Sequence, residues 1–370
     1  MDKPLRILQV LRAPVGGLFR HVCDLATYLD QSGHEVGLVV DAISYDDETV
    51  AKLERITPHL KLGIHPIAIP RLFGPKDLSA PFQIKKLLRT LEINVVHGHG
   101  AKGGFHARLA AWGNANVKKV YTPHGGVLHF SKTSPAGRIF HFLEKQLVPQ
   151  SDKIIFESAY AASTYLTQIG DVGSKGVVIH NGLAKAEFAK LESSGEFEFV
   201  FVGELRDLKG VEFLLRALPD VAKSDGTPAR LLLIGDGPQR AQFEQLCIDL
   251  GLSDRVTFAG AQPAQNGFKR ADTVVVPSLK ESLPYVVMEA IAAHKSIITT
   301  DVGGISEIFG VEKGRLLPAS DASALAKAMQ RYLIAEADLL KHNQQLYAHV
   351  RNEFSIEKMA GSILAIYLSQ

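Results

Sequence analysis

The amino-acid sequence predicts an α/β protein of two Rossmann-like, doubly wound domains, and three observations carry that prediction. Short Val/Ile/Leu-rich runs alternate almost from end to end with amphipathic stretches of helical period, the pattern of buried parallel strands joined by crossover helices. The alternation falls into two series, divided by the Asn181-Gly182 turn and a polar stretch at 190–195. The length, 370 residues, suits two domains rather than one.

The first series opens on the apolar run 6–11, followed by the turn residues Pro14, Gly16 and Gly17. Leu18, Val22, Leu25, Ala26 and Leu29 then recur at helical spacing up to Gly33. Strand candidates follow at 34–41, 93–97, 118–122, 153–157 and 176–179. In the second series they lie at 198–202, 230–234, 255–259, 272–276 and 296–300, with helices such as 211–221 and 239–250 between them. The predicted domains are 1–180 and 181–354, with the last segment, 355–370, packing back on the first. Ligands of such sheets sit beyond the carboxyl ends of the strands, so the cleft between domains is the expected site.

Composition removes several classes of function. Hydrophobic residues make up 46% of the chain and charged residues 22%, as in a protein with real cores. Cys23 and Cys247 stand far apart without C-x-x-C spacing, which argues against a disulfide scaffold or a structural zinc site and fits a reducing, cytoplasmic compartment. The first apolar run is soon broken by Arg12 and Pro14 and reads as a strand, not a signal peptide. No apolar run approaches the roughly 20 residues that span a bilayer. The net charge of +2 divides into +7 over 1–190 and −5 over 191–370, either chance variation or one half facing an anionic partner. A near-neutral chain without interleaved aromatic and basic residues argues against nucleic-acid binding.

Four segments depart from ordinary strand–helix connections. Gly16-Gly17, after a strand, lets the backbone approach a ligand while the next helix aims its free N–H groups at an anion, although a tight turn explains the glycines as well. His124 in Thr122-Pro123-His124-Gly125 ends another strand, where a substrate hydroxyl or phosphate could be met. His97 and His99 end a neighbouring strand. With no carboxylate or cysteine at ligand spacing, they read as hydrogen-bonding neighbours rather than metal ligands. Gly203 opens a strand-end loop with two cations, Arg206 and Lys209, suited to a diphosphate or simply solvated. In 277–290, Ser282 is expected to cap a helix with Pro284 in its first turn. That places Glu281 at the helix mouth and Glu289 inside it. Two such carboxylates suit vicinal hydroxyls, an acid/base pair or the helix dipole, and spacing alone does not choose.

Taken in order, these segments resemble the retaining glycosyltransferases of family 4, which have the GT-B fold of two Rossmann-like domains facing each other across a cleft. The motifs are G-G-x-x-x-H-V at Gly16 to Val22, T-P-H-G at Thr122 to Gly125, N-G at Asn181-Gly182, V-G-E-L-x-x-x-K-G at Val202 to Gly210 and G-D-G-P at Gly235 to Pro238. P-S-x-x-E-S with E-x7-E at Pro277 to Glu289 and T-D-V-G-G-I-x-E at Thr300 to Glu307 complete the set. The resemblance implies that Lys209 and Arg206 hold the donor diphosphate and stabilise the leaving group. It implies that Glu289 takes the ribose hydroxyls, that Glu281 takes those of the transferred sugar, and that His124 sits beside the reacting carbon. Backbone at Leu283, Tyr285 and Val286 would support the phosphates, and Gly16, Gly17, Gly203 and Gly235 would line the donor site. No metal and no cofactor are implied, the nucleotide-sugar (a UDP- or GDP-sugar) being a substrate. Three departures read as subfamily variation: Glu204 where an arginine is usual, Ser282-Leu283-Pro284 for Gly-Phe-Gly, and His294 and Ser296 for Gly and Pro.

The expected function is transfer of a hexose to an acceptor hydroxyl with retention, in surface polysaccharide, lipopolysaccharide or glycolipid synthesis. A nucleotide-sugar epimerase and a non-catalytic nucleotide-sugar binding protein are the alternatives. The acceptor is expected to be a saccharide or a lipid-linked group. The segment from Gln83 to Arg89, with Lys85, Lys86 and Arg89, is either a solvated surface helix or a peripheral helix on anionic lipid at the inner face of the plasma membrane. Lys132, Arg138 and Lys145 add to the basic character of this half.

Overall fold

The apolar runs form twelve parallel strands among the described residues. The computed structural model describes residues 3–42, 47–70, 74, 76–126, 134–334 and 336–369. Arg6–Val10 (β1), Glu35–Asp41 (β2), Ile64–Ile67 (β3), Val95–His99 (β4), Lys118–Thr122 (β5), Lys153–Phe156 (β6) and Gly176–Val178 (β7) make one sheet. Phe197–Val202 (β8), Leu231–Ile234 (β9), Val256–Phe258 (β10), Ala271–Val276 (β11) and Ser296–Thr299 (β12) make the other. The strand orders are β3-β2-β1-β4-β5-β6-β7 and β10-β9-β8-β11-β12. Each sheet therefore reverses its winding once, between β1 and β4 and between β8 and β11, and open α/β sheets bind ligands at such points.

The chain divides into two compact units, Met1–Gly182 with Ile356–Gln370, and Leu183–Ser355. In the first, both sheet faces are covered. Leu8, Val10, Val39 and Val96 pack with Ile84, Leu88 and Ala107 on one side. Ile7, Val36, Leu38 and Val95 pack with Leu25, Leu29, Met359 and Ile363 on the other. Two buried faces explain why these strands read as continuous apolar runs. The helix Ile356–Leu368 thus belongs to the first unit, and each large aliphatic side chain it buries contributes about 1.5–3 kcal/mol.

Local departures from the sequence expectations have local causes. Strand β3 has no counterpart among the candidates, because Pro66 breaks its pattern; the strand is an edge, pairing only with β2. Strand β4 starts two residues later than expected and runs on to His99, so both histidines lie within the sheet. The helix Gly16–Gln31 includes both glycines in its first turn. The helix expected over 211–221 is α-helical only over Val211–Ala217 and tightens to a 3-10 turn at Leu218–Asp220, where Pro219 has no N–H to give. Ser282 does not occupy the cap of the helix Tyr285–Ala292. Pro284 does, in an extended conformation with φ −75° and ψ 122°, and so precedes the first turn. His294, where the related motif has glycine, takes the left-handed backbone a glycine would take (φ 58°), and its ring stacks on Tyr347 at 4.0 Å.

Candidate active site

In the second unit, loops after β8, β9, β11 and β12 converge. Lys209 ends the 3-10 turn Asp207–Lys209 after β8, and Gly210 follows with φ 68°. A Cβ at position 210 would stand 1.9 Å from the carbonyl oxygen of Pro277, so only glycine lets this loop meet the one after β11. The Leu279 N–H donates to the Leu208 carbonyl at 2.9 Å across the same contact. The result is an ion pair between residues 72 apart in sequence: Lys209 Nζ lies 2.7 Å from Glu281 Oε1. Ser278 Oγ donates to that same oxygen at 2.7 Å. Glu281 is only 10% exposed and Lys209 26%, so the pair is held in a fixed and partly dry setting. The Gly304 N–H donates to the Ser282 carbonyl at 2.7 Å, tying in the loop after β12. Gly235, at φ 144°, packs so closely on the Gly203 carbonyl that a Cβ would stand 1.8 Å from it.

The remaining second-unit candidates surround this pair differently. Arg206 is about half exposed and pairs with Glu204 at 3.2 Å, a surface contact worth about 0–1 kcal/mol. Leu283 and Tyr285 are buried and pack into the second unit's core, with Val286 against it. Glu289 lies half-buried in the helix Tyr285–Ala292. The first N–H groups of that helix have no intrahelical acceptor and carry its positive dipole end, which favours an anion.

In the first unit, Gly16 and Gly17 are exposed at the start of their helix, Gly16 at φ 63°. His124 also has a left-handed backbone (φ 49°), a strained setting for a non-glycine residue. Its Nε2 lies 2.9 Å from His99 Nδ1. His99 Nε2 lies 2.6 Å from Gln9 Oε1, and His21 Nδ1 lies 3.0 Å from Asn181 Oδ1. His97 is turned elsewhere, to Tyr367 at 2.6 Å and Thr122 at 2.8 Å. Burial pushes His21 down to about 4, opposed by its bond to Asn181. Burial first, and neighbouring histidines second, hold His97, His99 and His124 well below the usual range.

These shifts set a pH dependence of stability. The folded chain keeps the imidazoles neutral, whereas the unfolded chain protonates them below about pH 6.5. Above that value they cost nothing. Below it each removes up to about 1.4 kcal/mol per pH unit, for His21 until the pH reaches about 4. Urea unfolding compared near neutrality and near pH 5 is expected to show a large loss of stability at the lower pH, reduced in His21→Asn. Equal stabilities would contradict it.

Several residues of these clusters are not singled out for a role by the sequence. Ser278, His21 and Asn181 stand there only as members of the P-S-x-x-E-S, G-G-x-x-x-H-V and N-G motifs. Gln9 carries a faint signal, as a polar residue inside an apolar strand. Tyr367 carries none. A recess of about 360 Å³ beside Gly16, lined by Arg20, Lys52, Arg55 and His59, is drawn from several segments with no local motif.

The second unit thus gathers a cation and a carboxylate at the carboxyl ends of its parallel sheet, where open α/β sheets bind their ligands. Residues 184–352 match the family described as Glycosyl transferases group 1, and residues 15–186 match Glycosyltransferase Family 4. EpsD of Bacillus subtilis, whose name assigns it to the glycosyltransferases, is 30% identical over 70% of this chain and 72% of its own. A glycogen synthase of Mycobacterium tuberculosis is 28% identical over 96% of this chain and 91% of its own. Among solved structures, HepE of Anabaena in complex with UDP-glucose superposes with a TM-score of 0.81 at 19% identity, covering 98% of this chain and 99% of that one. The chain belongs to the group 1 glycosyltransferases, family 4, with the GT-B fold.

Proposed function

We propose that this enzyme transfers a hexose from a nucleotide-sugar to an acceptor hydroxyl with retention of anomeric configuration and without a metal. The observation that carries this reading is the Lys209–Glu281–Ser278 cluster at the reversal point of the second sheet, with Glu289 further along the helix that follows. Lys209 and Arg206 bind the diphosphate and offset the charge that grows on it as the sugar departs. Glu281 accepts hydrogen bonds from sugar hydroxyls and Glu289 from the ribose. The bond from the anomeric carbon to the phosphate oxygen breaks, the bond to the acceptor oxygen forms on the same face, and the acceptor proton passes to the leaving phosphate. The naming of UDP-glucose in the HepE complex supports a nucleotide-sugar donor. Glu289→Ala is expected to weaken donor binding in a nucleoside-diphosphate release assay. Unchanged turnover and donor affinity in this variant would overturn the assignment.

We further propose a lipid-linked acceptor and peripheral membrane contact, in surface polysaccharide or glycolipid synthesis. The helix Lys76–Thr90 buries Ile84 and Leu88 but leaves Leu78 and Phe82 75% and 74% exposed, one turn apart. They border a groove of about 670 Å³ lined also by Pro81, Phe105, Leu109 and Leu143. Lys85, Lys86 and Arg89 are exposed along the same helix, as are Arg138 and Lys145 on Pro135–Leu147; Lys132 lies outside the described residues. Apolar side chains beside cations are what an anionic lipid surface attracts. Among the described residues no helix is long and apolar enough to cross a membrane. Sedimentation with anionic vesicles is expected to show salt-sensitive binding, weakened when Lys85, Lys86 and Arg89 are replaced by serine. Equal recovery with neutral vesicles would remove the idea.

A further inference from the structure

We propose that Tyr367, Gln9 and His99 are positioning residues. They hold the His124 imidazole in one tautomer, with hydrogen on Nε2 and a lone pair on Nδ1, so that it accepts a hydrogen bond from a hydroxyl of a bound saccharide. That ligand follows from the sugar-transfer reading above, whereas the geometry is that of the first unit alone. Thr122, His97, Tyr367, Gln9, His99 and His124 form one continuous chain of side-chain hydrogen bonds, whose two ends flank Pro123 just beyond β5. Thr122, His97, Gln9 and His99 are no more than 1% exposed. Burying amides and imidazoles carries a desolvation cost that apolar residues at the same strand positions would not. Stability alone therefore does not account for the chain; the residue at its open end does. His124 is half-buried, has a left-handed backbone at φ 49°, and follows β5 beside the point where the first sheet reverses. Strained backbone gathers at functional sites, and open α/β sheets bind ligands at such edges.

The direction of the chain follows from its donors and acceptors. The Gln9 amide oxygen can only accept, so His99 Nε2, 2.6 Å away, carries a hydrogen. His99 Nδ1 is then a lone pair, and the hydrogen between it and His124 Nε2, at 2.9 Å, belongs to His124. That leaves His124 Nδ1 unprotonated, an acceptor that matches a hydroxyl and mismatches a carboxylate oxygen. The Gln9 amide keeps this orientation because its NH2 donates to the Tyr367 hydroxyl at 3.4 Å. The hydroxyl in turn donates to His97 Nδ1 at 2.6 Å, and His97 Nε2–H donates to Thr122 Oγ1 at 2.8 Å. Tyr367 is carried by the helix Ile356–Leu368, so the last helix sets the tautomer of a ring in the loop after β5. The His21 ring meets His124 edge to face with centroids 4.8 Å apart, which restrains its rotation. Burial keeps His97, His99 and His124 neutral, as a chain with one direction requires. A second proton on any of these rings would turn an acceptor into a donor.

The test uses the full chain labelled in its histidine nitrogens. Imidazole correlation spectra, with His124 assigned by its loss in His124→Asn, are expected to show hydrogen on Nε2 and none on Nδ1. That state should persist from about pH 8 to about pH 6, where an ordinary histidine titrates. Hydrogen on Nδ1, or an equal mixture of tautomers, overturns the proposal. Tyr367→Phe removes a hydroxyl that bonds neither His99 nor His124. It is expected to give a tautomer mixture and to lower kcat for UDP-glucose, followed as UDP release, about 10–100-fold at unchanged UDP affinity. A merely structural role would lower the melting temperature without separating kcat from UDP affinity. His99→Phe should lose as much, and His99→Gln, whose amide oxygen can take the His124 hydrogen, should regain part of it. Thermal unfolding shows which variants remain folded. Parental kcat in folded Tyr367→Phe and His99→Phe, while Lys209→Ala loses turnover, overturns the positioning role. If Lys209→Ala keeps the parental rate as well, the reaction assignment has failed, and the tautomer seen in the parent still decides the chain.

Discussion

Lys209→Ala is expected to lower donor turnover by about 10²–10³-fold, measured as release of nucleoside diphosphate at saturating acceptor. The ammonium group is not a loose surface charge. It is three-quarters buried, seated 2.7 Å from Glu281 and carried by a loop whose path depends on Gly210 passing the Pro277 carbonyl. A charge fixed in advance needs no reorganisation when the leaving phosphate becomes more negative, and low solvent access strengthens its field. Removing it also leaves the Glu281 carboxylate without its cation, so part of the loss comes from a misplaced sugar ligand. Lys209→Arg separates the two effects: charge is kept, but a planar fork replaces a point charge, and partial activity is expected. If Lys209→Ala folds normally and turns over donor at the parental rate, the diphosphate is bound elsewhere.

The largest effect on stability is expected at a site with no part in the chemistry. Arg108 is 1% exposed and donates through both terminal nitrogens to Glu144, at 2.9 and 2.8 Å. Its Nε donates to the Gly104 carbonyl, and the guanidinium lies 4.0 Å above the Tyr121 ring. The Tyr165 hydroxyl donates to Glu144 at 2.6 Å. Truncating one partner leaves the other charge buried, so Arg108→Ala should cost about 3–5 kcal/mol. For a unit of this size that lowers the melting temperature by about 10 °C. The triple replacement Arg108→Met, Glu144→Leu and Tyr165→Phe should regain most of the loss, since it removes both buried charges and the hydroxyl that Glu144 accepts from. A single variant that melts with the parent would show that water already reaches the pair.

Much of the architecture was legible because it rests on short-range patterning. Residues buried on both sheet faces must be apolar in succession, and that writes β1, β2, β8 and β11 directly into the sequence. Pro66 hid β3, since a residue without an N–H is tolerated only where no second strand asks for one. The motif glycines around the proposed donor site stand out in the sequence for another reason. Glycines at Gly210 and Gly235 are demanded by contacts closer than any Cβ permits, so they mark where loops meet without showing which loops. The helix cap was misjudged because Ser282 has the right chemistry but Pro284 has the fixed φ.

The sequence by itself determined the alternation of strands and helices, the two series, and the chemical types available to bind a charged sugar donor. Tertiary structure alone decided which of them meet. Lys209 reaches Glu281 because β8 and β11 are neighbours in a sheet whose order skips β9 and β10. His21, His99 and His124 converge because β1 lies beside β4 and β4 beside β5, which brings three separate segments to one edge. Strand order is set by how whole helices cover a sheet, a property no local window of residues contains.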